Sequence, residues 1–301
     1  MIRSLFKTTL LKVVLFGACA AAMVPFWSAP AHAADLTPLY KAPPPVYSSW
    51  TGFYVGGELG GTWGDGTWTA TSLRDPPGIP PTIGIVLPID ASSPTNYRPG
   101  SLRYGGYVGY NWQFDPKWVA GIEGDLAYAN GGASFSGFPG CALGPCTFPG
   151  SGFNAPVDST SLRLQGDGSL RPRLGYLVRP NLMLFGSGGV AWQRIQTSGT
   201  CGPLIASDYC NGIKPLVPSS MTNTNTLIGW TAGLGAEWMF APHWLARVEY
   251  RYADFGTISE VFPFGFSPIA GDNTYRFRMA VQTQMLSLGV AYKFDAFGGM
   301  R

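Results

Sequence analysis

Between residues 286 and 294 the chain alternates strictly. Leu286, Leu288, Val290, Tyr292 and Phe294 are apolar, while Ser287, Gly289, Ala291 and Lys293 between them are small or polar. A period of two sends successive side chains to opposite faces, so this stretch predicts a strand with one apolar and one polar face. Seven earlier stretches look like strands too. Residues 50–64 place Phe53, Val55, Leu59 and Trp63 on one face, with Glu58 opposite. Residues 101–114 set Leu102, Tyr104, Val108, Tyr110, Trp112 and Phe114 against Arg103, Tyr107, Asn111 and Gln113. Residues 118–130 set Trp118, Ile122, Leu126 and Tyr128 against Glu123 and Asp125. Residues 160–178 set Leu162, Leu164, Leu170, Leu174 and Tyr176 against Arg163, Asp167, Arg171 and Arg173. Residues 226–240 set Ile228, Trp230, Leu234, Trp238 and Phe240 against Thr231 and Glu237. Residues 244–252 set Trp244, Val248, Tyr250 and Tyr252 against Arg247, Glu249 and Arg251. Residues 182–196 are apolar on both parities, and the pattern assigns them no faces. The eighth strand runs over about 275–294. Each stretch is close to or above the roughly 9–11 residues that a tilted strand needs to cross a bilayer.

The connections alternate between short and long. Asp115-Pro116-Lys117, Arg179-Pro180-Asn181 and Ala241-Pro242-His243 are tight turns with proline in the same place, a repeat of strand, x-Pro-x, strand. The other connections, about 65–100, 131–159, 197–225 and 253–274, are long and rich in Gly, Pro, Ser, Thr and Asn. This predicts an all-β fold: an eight-stranded antiparallel transmembrane up-and-down β-barrel with short periplasmic turns and four long extracellular loops. Trp112, Phe114, Trp118, Trp238, Phe240 and Trp244 flank the short turns and form a candidate periplasmic aromatic girdle. A sheet in hydrocarbon must close on itself, because an open edge leaves backbone groups unsatisfied. The last strand should therefore pair with the first. Gly105, Gly106, Gly109, Gly121 and Gly124 allow curvature and close approach, and Pro172 predicts a bulge or local irregularity.

The N-terminus fits export. Arg3, Lys7 and Lys12 flank or precede an apolar run over 13–23, and Ala31-His32-Ala33 is a cleavage site, so residues 1–33 read as a signal peptide. Cys19 lies in a faint lipoprotein-like box, but the apolar run continues past it. Residues 34–49 read as a proline-rich periplasmic linker, 50–294 as the barrel and 295–301 as a C-terminal extension. Charged residues make up only 12% of the chain, and three of the 20 bases fall in the signal while none of the 17 acids does. The mature chain is thus close to neutral, and no nucleic-acid partner is expected. Four mature cysteines form two close pairs, Cys141/Cys146 and Cys201/Cys210, read as loop disulfides in preference to a four-cysteine metal site.

Several stretches resemble a known family in order along the chain: Trp50-Thr51-Gly52-Phe53-Tyr54-Val55-Gly56, Gly105-Gly106-Tyr107-Val108-Gly109-Tyr110-Asn111-Trp112-Gln113, Gly121-Ile122-Glu123-Gly124-Asp125, Arg173-Leu174-Gly175-Tyr176, Gly188-Gly189-Val190-Ala191, Gly229-Trp230-Thr231-Ala232-Gly233 and Ala246-Arg247-Val248-Glu249-Tyr250. They resemble the RopB-like outer-membrane immunogenic proteins of alphaproteobacteria, a branch of the OmpA-type barrels. The resemblance implies an outer-membrane location, a single eight-stranded barrel and no catalytic residues; some relatives are described as porins, adhesins, surface antigens or haem binders. Pro172 departs from an expected glycine, and residues 295–301 extend past Phe294, where relatives usually stop. The terminal pattern with Gly289, Tyr292 and Phe294 resembles the signal read by the outer-membrane assembly machinery.

Glu58, Arg103, Glu123, Asp125, Arg163, Asp167, Arg171, Arg173, Glu237, Arg247, Glu249, Arg251 and Lys293 all oppose the apolar faces and predict a charge network of seven bases and six acids in the lumen. An eight-stranded barrel is just wide enough for its own side chains to fill it, so the network predicts a plug and a barrel that conducts poorly or not at all. The expected function is a structural barrel that supports the envelope and displays surface loops. The alternatives are a small passive pore, or a surface receptor for haem or another ligand, or an adhesin. Expected partners are outer-membrane lipid and lipopolysaccharide, the assembly machinery and extracellular ligands of the loops. No cofactor is expected: Tyr209, Met221 and Met279 are available types for haem, but their spacing singles out none of them. The only mature histidine, His243, sits in a predicted periplasmic turn, which argues against Ser/His catalysis at the outer leaflet.

Overall fold

The computed structural model describes residues 49–74, 86–142, 158–201, 219–267 and 271–294. The proposed signal peptide, the linker up to residue 48 and the extension 295–301 lie outside the described residues. Eleven strands occur among the described residues: β1 (Gly52–Arg74), β2 (Val86–Leu87), β3 (Thr95–Tyr97), β4 (Gly100–Asp115), β5 (Trp118–Ala129), β6 (Gly131–Ser136), β7 (Ser159–Arg179), β8 (Leu182–Cys201), β9 (Ser219–Ala241), β10 (Trp244–Ser267) and β11 (Gly271–Lys293).

Neighbours in the wall follow the order β1–β4–β5–β7–β8–β9–β10–β11, and β11 returns to β1, which closes a ring of eight staves among the described residues. The closing seam is antiparallel from Tyr54↔Lys293 to Arg74↔Thr274. The last strand therefore pairs with the first over nearly all of its length, as hydrocarbon requires of a sheet with no free edge.

The three proline turns are built alike. Proline at the second turn position fits with its fixed φ and needs no N–H there. The residue after it turns its carbonyl to a neighbouring stave. Lys117 accepts from the Leu177 N–H at 2.8 Å, Asn181 from the Met239 N–H at 2.9 Å and His243 from the Lys293 N–H at 2.7 Å. The sequence repeat is thus a repeated lock between each short turn and the stave beyond it.

Outside the ring, the apolar faces named from the alternation point outward on β1, β4, β5 and β9 and on the parts of β7, β10 and β11 nearest the short turns. The β1 face runs from Phe53 to Trp63, which spans about 25 Å at about 3.3 Å per residue and a tilt of about 40°. That is the height of a bilayer core as a barrel meets it. The aromatics beside the short turns are all exposed on this outer face. A second girdle rims the other end, with Tyr104 5.6 Å from Tyr128 and Trp230 5.5 Å from Tyr252, ring to ring.

Beyond that second girdle the strands continue, and the structure departs from the sequence expectations. The connection expected at 253–274 is a hairpin, because β10 runs to Ser267 and β11 starts at Gly271. The strand expected at 160–178 switches faces. Between Leu164 and Asp167, β7 gains a residue relative to β8, a bulge that reverses which parity faces in. Leu162 and Leu164 are therefore buried inside, not on the lipid face, and Arg163 is exposed. At Pro172 the expected irregularity is present, without a bulge. The pairing to β5 runs through Ile122↔Pro172, and the ladder to β8 keeps its register while lacking the pairs at Arg171 and Pro172.

The strand without assignable faces, β8, points its odd residues inward. Met183, Phe185, Ala191 and Ile195 are buried, while Leu184 and Val190 are exposed. It is apolar on both parities because the lumen is itself apolar at two heights.

Candidate functional site

The lumen is filled in three layers. At the short-turn end, Tyr54, Tyr107, Leu177, Met183, Phe185 and Met239 pack together with Trp50. Trp50 lies just ahead of β1 and reaches over the mouth, where its indole N–H donates to the Pro180 carbonyl at 3.0 Å in the turn between β7 and β8. Glycine makes room for this layer where large side chains lie against the wall. A Cβ on Gly109 would come within 2.3 Å of the Tyr54 hydroxyl, and one on Gly175 within 2.3 Å of the Met183 sulfur.

At the opposite end a larger apolar layer includes Trp68, Tyr97, Leu162, Leu164, Ile195, Phe262, Tyr275, Phe277 and Met279. Trp68 stacks on Phe277 with centroids 3.9 Å apart, and its indole N–H donates to the Tyr275 hydroxyl at 2.8 Å.

Between them lies the charge network. Arg103 donates from Nε to both Asp167 oxygens at 3.0 Å, from Nη2 to Asp125 at 2.7 Å and from Nη1 to Glu58. Arg171 bridges Glu249 and Glu123, the latter at 2.9 Å. Arg173 donates to Glu123 at 3.1 Å, to the Tyr54 hydroxyl at 2.8 Å and to Glu237. Arg247 donates to Glu123 and lies 3.6 Å from the centre of the Tyr107 ring, a cation–π contact. Arg251 grips both oxygens of Asp125, at 2.6 and 3.1 Å, and its Nε lies 2.9 Å from the Met285 sulfur. Ser169 and Ser187 add hydroxyls, Ser169 donating to Asp125 and Ser187 accepting from Arg171 at 2.9 Å. Every one of these charged side chains is buried. Ions so far from water persist only when partners satisfy them, and guanidinium forks that bind several carboxylates at once meet most of that need. Arg171 Nε, Arg247 Nε and Nη2, and Glu237 Oε1 are left without a hydrogen bond among the described residues.

The network thus has five arginines and six carboxylates, not seven bases and six acids. Arg163 is absent from it, because the β7 bulge turns it outward. Lys293 is buried but lies at the short-turn end, its Nζ 3.5 Å from the Thr51 carbonyl. The other predicted charges, Glu58, Arg103, Glu123, Asp125, Asp167, Arg171, Arg173, Glu237, Arg247, Glu249 and Arg251, come together. Sequence reasoning misses Trp50, whose place across the mouth carries no periodic signal. It misses Glu260 as well, which composition places in a loop.

The other residues singled out are placed as follows. Gly289 lies beside Tyr107, and a Cβ there would be 2.9 Å from its hydroxyl. Tyr292 packs edge-on to Trp244 at 5.3 Å and stacks on His243 at 5.6 Å. Phe294 donates its N–H to the Phe53 carbonyl at 2.7 Å and lies 5.0 Å from Tyr292, ring to ring. Cys141 is disulfide-bonded. Cys146 and Cys210 lie outside the described residues, and Cys201 ends β8. Met279 is buried in the outer apolar layer and Met221 packs against it, while Tyr209 lies outside the described residues.

The chain is 28% identical over 282 residues to the 25 kDa outer-membrane immunogenic protein of Brucella abortus biovar 1, covering 91% of this chain and 95% of that protein. It is 26% identical over 217 residues to the 22 kDa outer membrane protein of Rhizobium leguminosarum bv. viciae, covering 71% of this chain and 69% of that one. Among solved structures, the outer membrane protein OprG from Pseudomonas aeruginosa aligns with a TM-score of 0.41 at 13% identity, over 83% of this chain and 99% of that one. The profile of the outer membrane protein beta-barrel domain matches residues 19–294, nearly the whole of the chain. With that profile lying over a closed antiparallel wall and its apolar belt, the chain belongs to the outer membrane protein beta-barrel domain family.

Proposed function

We propose that this barrel is a structural, non-conducting element of the outer membrane, and that its function lies in its wall and in the folded half that stands outside the bilayer. The observation that carries this reading is the filled lumen. An ion crossing it would pass an apolar layer closed by Trp50, a layer of mutually paired charges and a second, aromatic layer. Each apolar layer is a barrier to a hydrated ion, and the charges between them already have one another as partners. The reading is non-enzymatic. Its support is that His243, the one mature histidine, sits at the short-turn end beside Tyr292, away from the outer leaflet. The test is single-channel recording of the purified, folded barrel in a planar bilayer. The expected trace is flat, and large steady steps from monomer would sink the reading.

The same proposal assigns the partners. The belt between the two girdles takes outer-membrane lipid and lipopolysaccharide, and the end of β11 with Gly289, Tyr292 and Phe294 is read by the assembly machinery. Phe294→Ala is expected to slow insertion in a pulse-chase assay while barrels already folded keep their heat resistance. Normal insertion rates would remove Phe294 from that role.

A further inference from the structure

Above the outer girdle the barrel wall parts along one seam. β9 and β10 pair from Trp244↔Ala241 up to Asp254↔Trp230 and no further. Beyond that point β9 pairs with β8, through Cys201↔Ser219, and β10 pairs with β11, through Ser267↔Gly271. Two strand edges therefore face each other outside the membrane. The orientation of their backbone groups follows from the register. The Met239 N–H points to Asn181, on the β8 side. The β8–β9 register has no shift, so the odd residues of β9 bond to β8 and the even ones face the split. Thr222, Thr224 and Thr226 thus direct their N–H and C=O groups into it, with no backbone partner among the described residues.

The two edges are not alike. β10 carries devices that protect an edge: a bulge between Asp254 and Thr257 around Gly256 at φ +68°, and Pro263. The bulge reverses parity, so Pro263 presents its missing N–H to the split, where a ladder bond would otherwise form. β9 carries none of these. From Ser219 to Gly229 it reads Ser-Ser-Met-Thr-Asn-Thr-Asn-Thr-Leu-Ile-Gly, without a charge or a proline.

A second observation lies in the split itself. Glu260 is 8% exposed and held by neutral donors: Thr197 at 2.6 Å, Asn223 at 3.2 Å and Asn225. No cation among the described residues pairs with it. In the middle layer of the lumen each carboxylate meets an arginine. Here a buried carboxylate has amides and a hydroxyl instead, and Asn223 also spans the split to the Val261 carbonyl at 3.5 Å.

We propose that the β9 edge from Thr222 to Thr226 receives an extended segment of an external polypeptide as an added strand, with a lysine or arginine of that segment reaching Glu260. The added strand supplies the missing ladder partners, and its basic side chain supplies the missing counter-charge; the amides of Asn223 and Asn225 yield to it. A second copy of this chain fits less well. Two barrels in one membrane present β9 in the same direction. A two-fold axis along the membrane normal then sets like backbone groups opposite one another, without the one-residue stagger that a parallel ladder needs.

The test uses the full-length folded barrel in detergent micelles and two capped heptapeptides of alternating threonine and valine. One has a central lysine and the other has norleucine there. Fluorescence anisotropy should show binding of the lysine peptide and at least about tenfold weaker binding of the norleucine peptide. Thr224→Pro, checked for folded mobility on a gel, should weaken the lysine peptide at least about tenfold. Glu260→Gln should erase the difference between the two peptides. Should Thr224→Pro fail to fold, amide exchange in the unaltered barrel decides. Protection of Thr222, Thr224 and Thr226 on addition of the lysine peptide supports the proposal, and unchanged exchange overturns it. Binding insensitive to Thr224→Pro, no binding of either peptide, or a dimer that Thr224→Pro dissolves would each overturn it as well.

Discussion

The half of the barrel inside the membrane and the half above it use the same alternating strands with opposite sign. On β11 the odd residues face inward from Tyr275 to Lys293 without interruption. Below the outer girdle its outward residues include Leu286, Leu288 and Val290, and its inward ones include Ser287 and Lys293. Above the girdle the outward residues include Arg276 and Arg278, and the inward ones are Tyr275, Phe277, Met279 and Val281. The backbone does not change; the medium on its outer side does. Lipid takes the apolar face below, and inside it the lumen's charged middle layer, above the apolar layer at the short-turn end, is left to satisfy itself by ion pairing. Water takes the polar face above, and the interior closes as an ordinary apolar core.

Three tests separate these two regimes. Arg103→Ala should cost the most, about 4 kcal/mol, because it strips a shared cation from the buried Glu58, Asp125 and Asp167. Urea unfolding of the barrel in micelles measures it, and a loss under about 1 kcal/mol would mean that water already reaches the middle layer. Phe277→Ala should cost about 3 kcal/mol by opening a cavity beside Trp68. Its effect should be confined to the outer half, seen as faster amide exchange in β10 and β11 above the girdle with unchanged exchange below. The third test compares the two outer faces directly. Leu234→Arg places a charge on β9 midway between the Trp230 and Trp238 girdles and should cost at least about 2 kcal/mol. Arg163→Ala, on the watered face, should stay within about 0.5 kcal/mol in the same unfolding assay. Equal costs for the pair would break the assignment of the two media.

Much of the wall is legible in the chain. The outward faces of β1, β4, β5 and β9, the proline turns and the central charges follow from period-two alternation, because a closed sheet in lipid leaves each side chain only two directions. Arg163 shows where that logic fails. Between Leu170 and Leu164 the face that meets the outside changes from apolar to polar, and the bulge at the same height exchanges inside for outside. The two reversals cancel in sequence. Even-numbered leucines continue in step while they pass from the lipid face into the core. β8 poses a related difficulty, since its buried Met183 and Phe185 and its exposed Leu184 are equally apolar for different reasons.

By itself, then, the sequence determined that the chain forms paired, two-faced strands joined by proline turns, and that most of its charges share one side of them. Alternation is a local property of each strand, so it survives in the sequence intact. Only the tertiary structure decided what each face meets. Closing the ring made one face a lumen, and the bulges in β7 and β10 chose which parity entered it above the membrane. The end of the β9–β10 ladder left two edges open there, one guarded by Pro263 and one not. Those outcomes depend on register between strands far apart in the chain, and period-two alternation does not encode register.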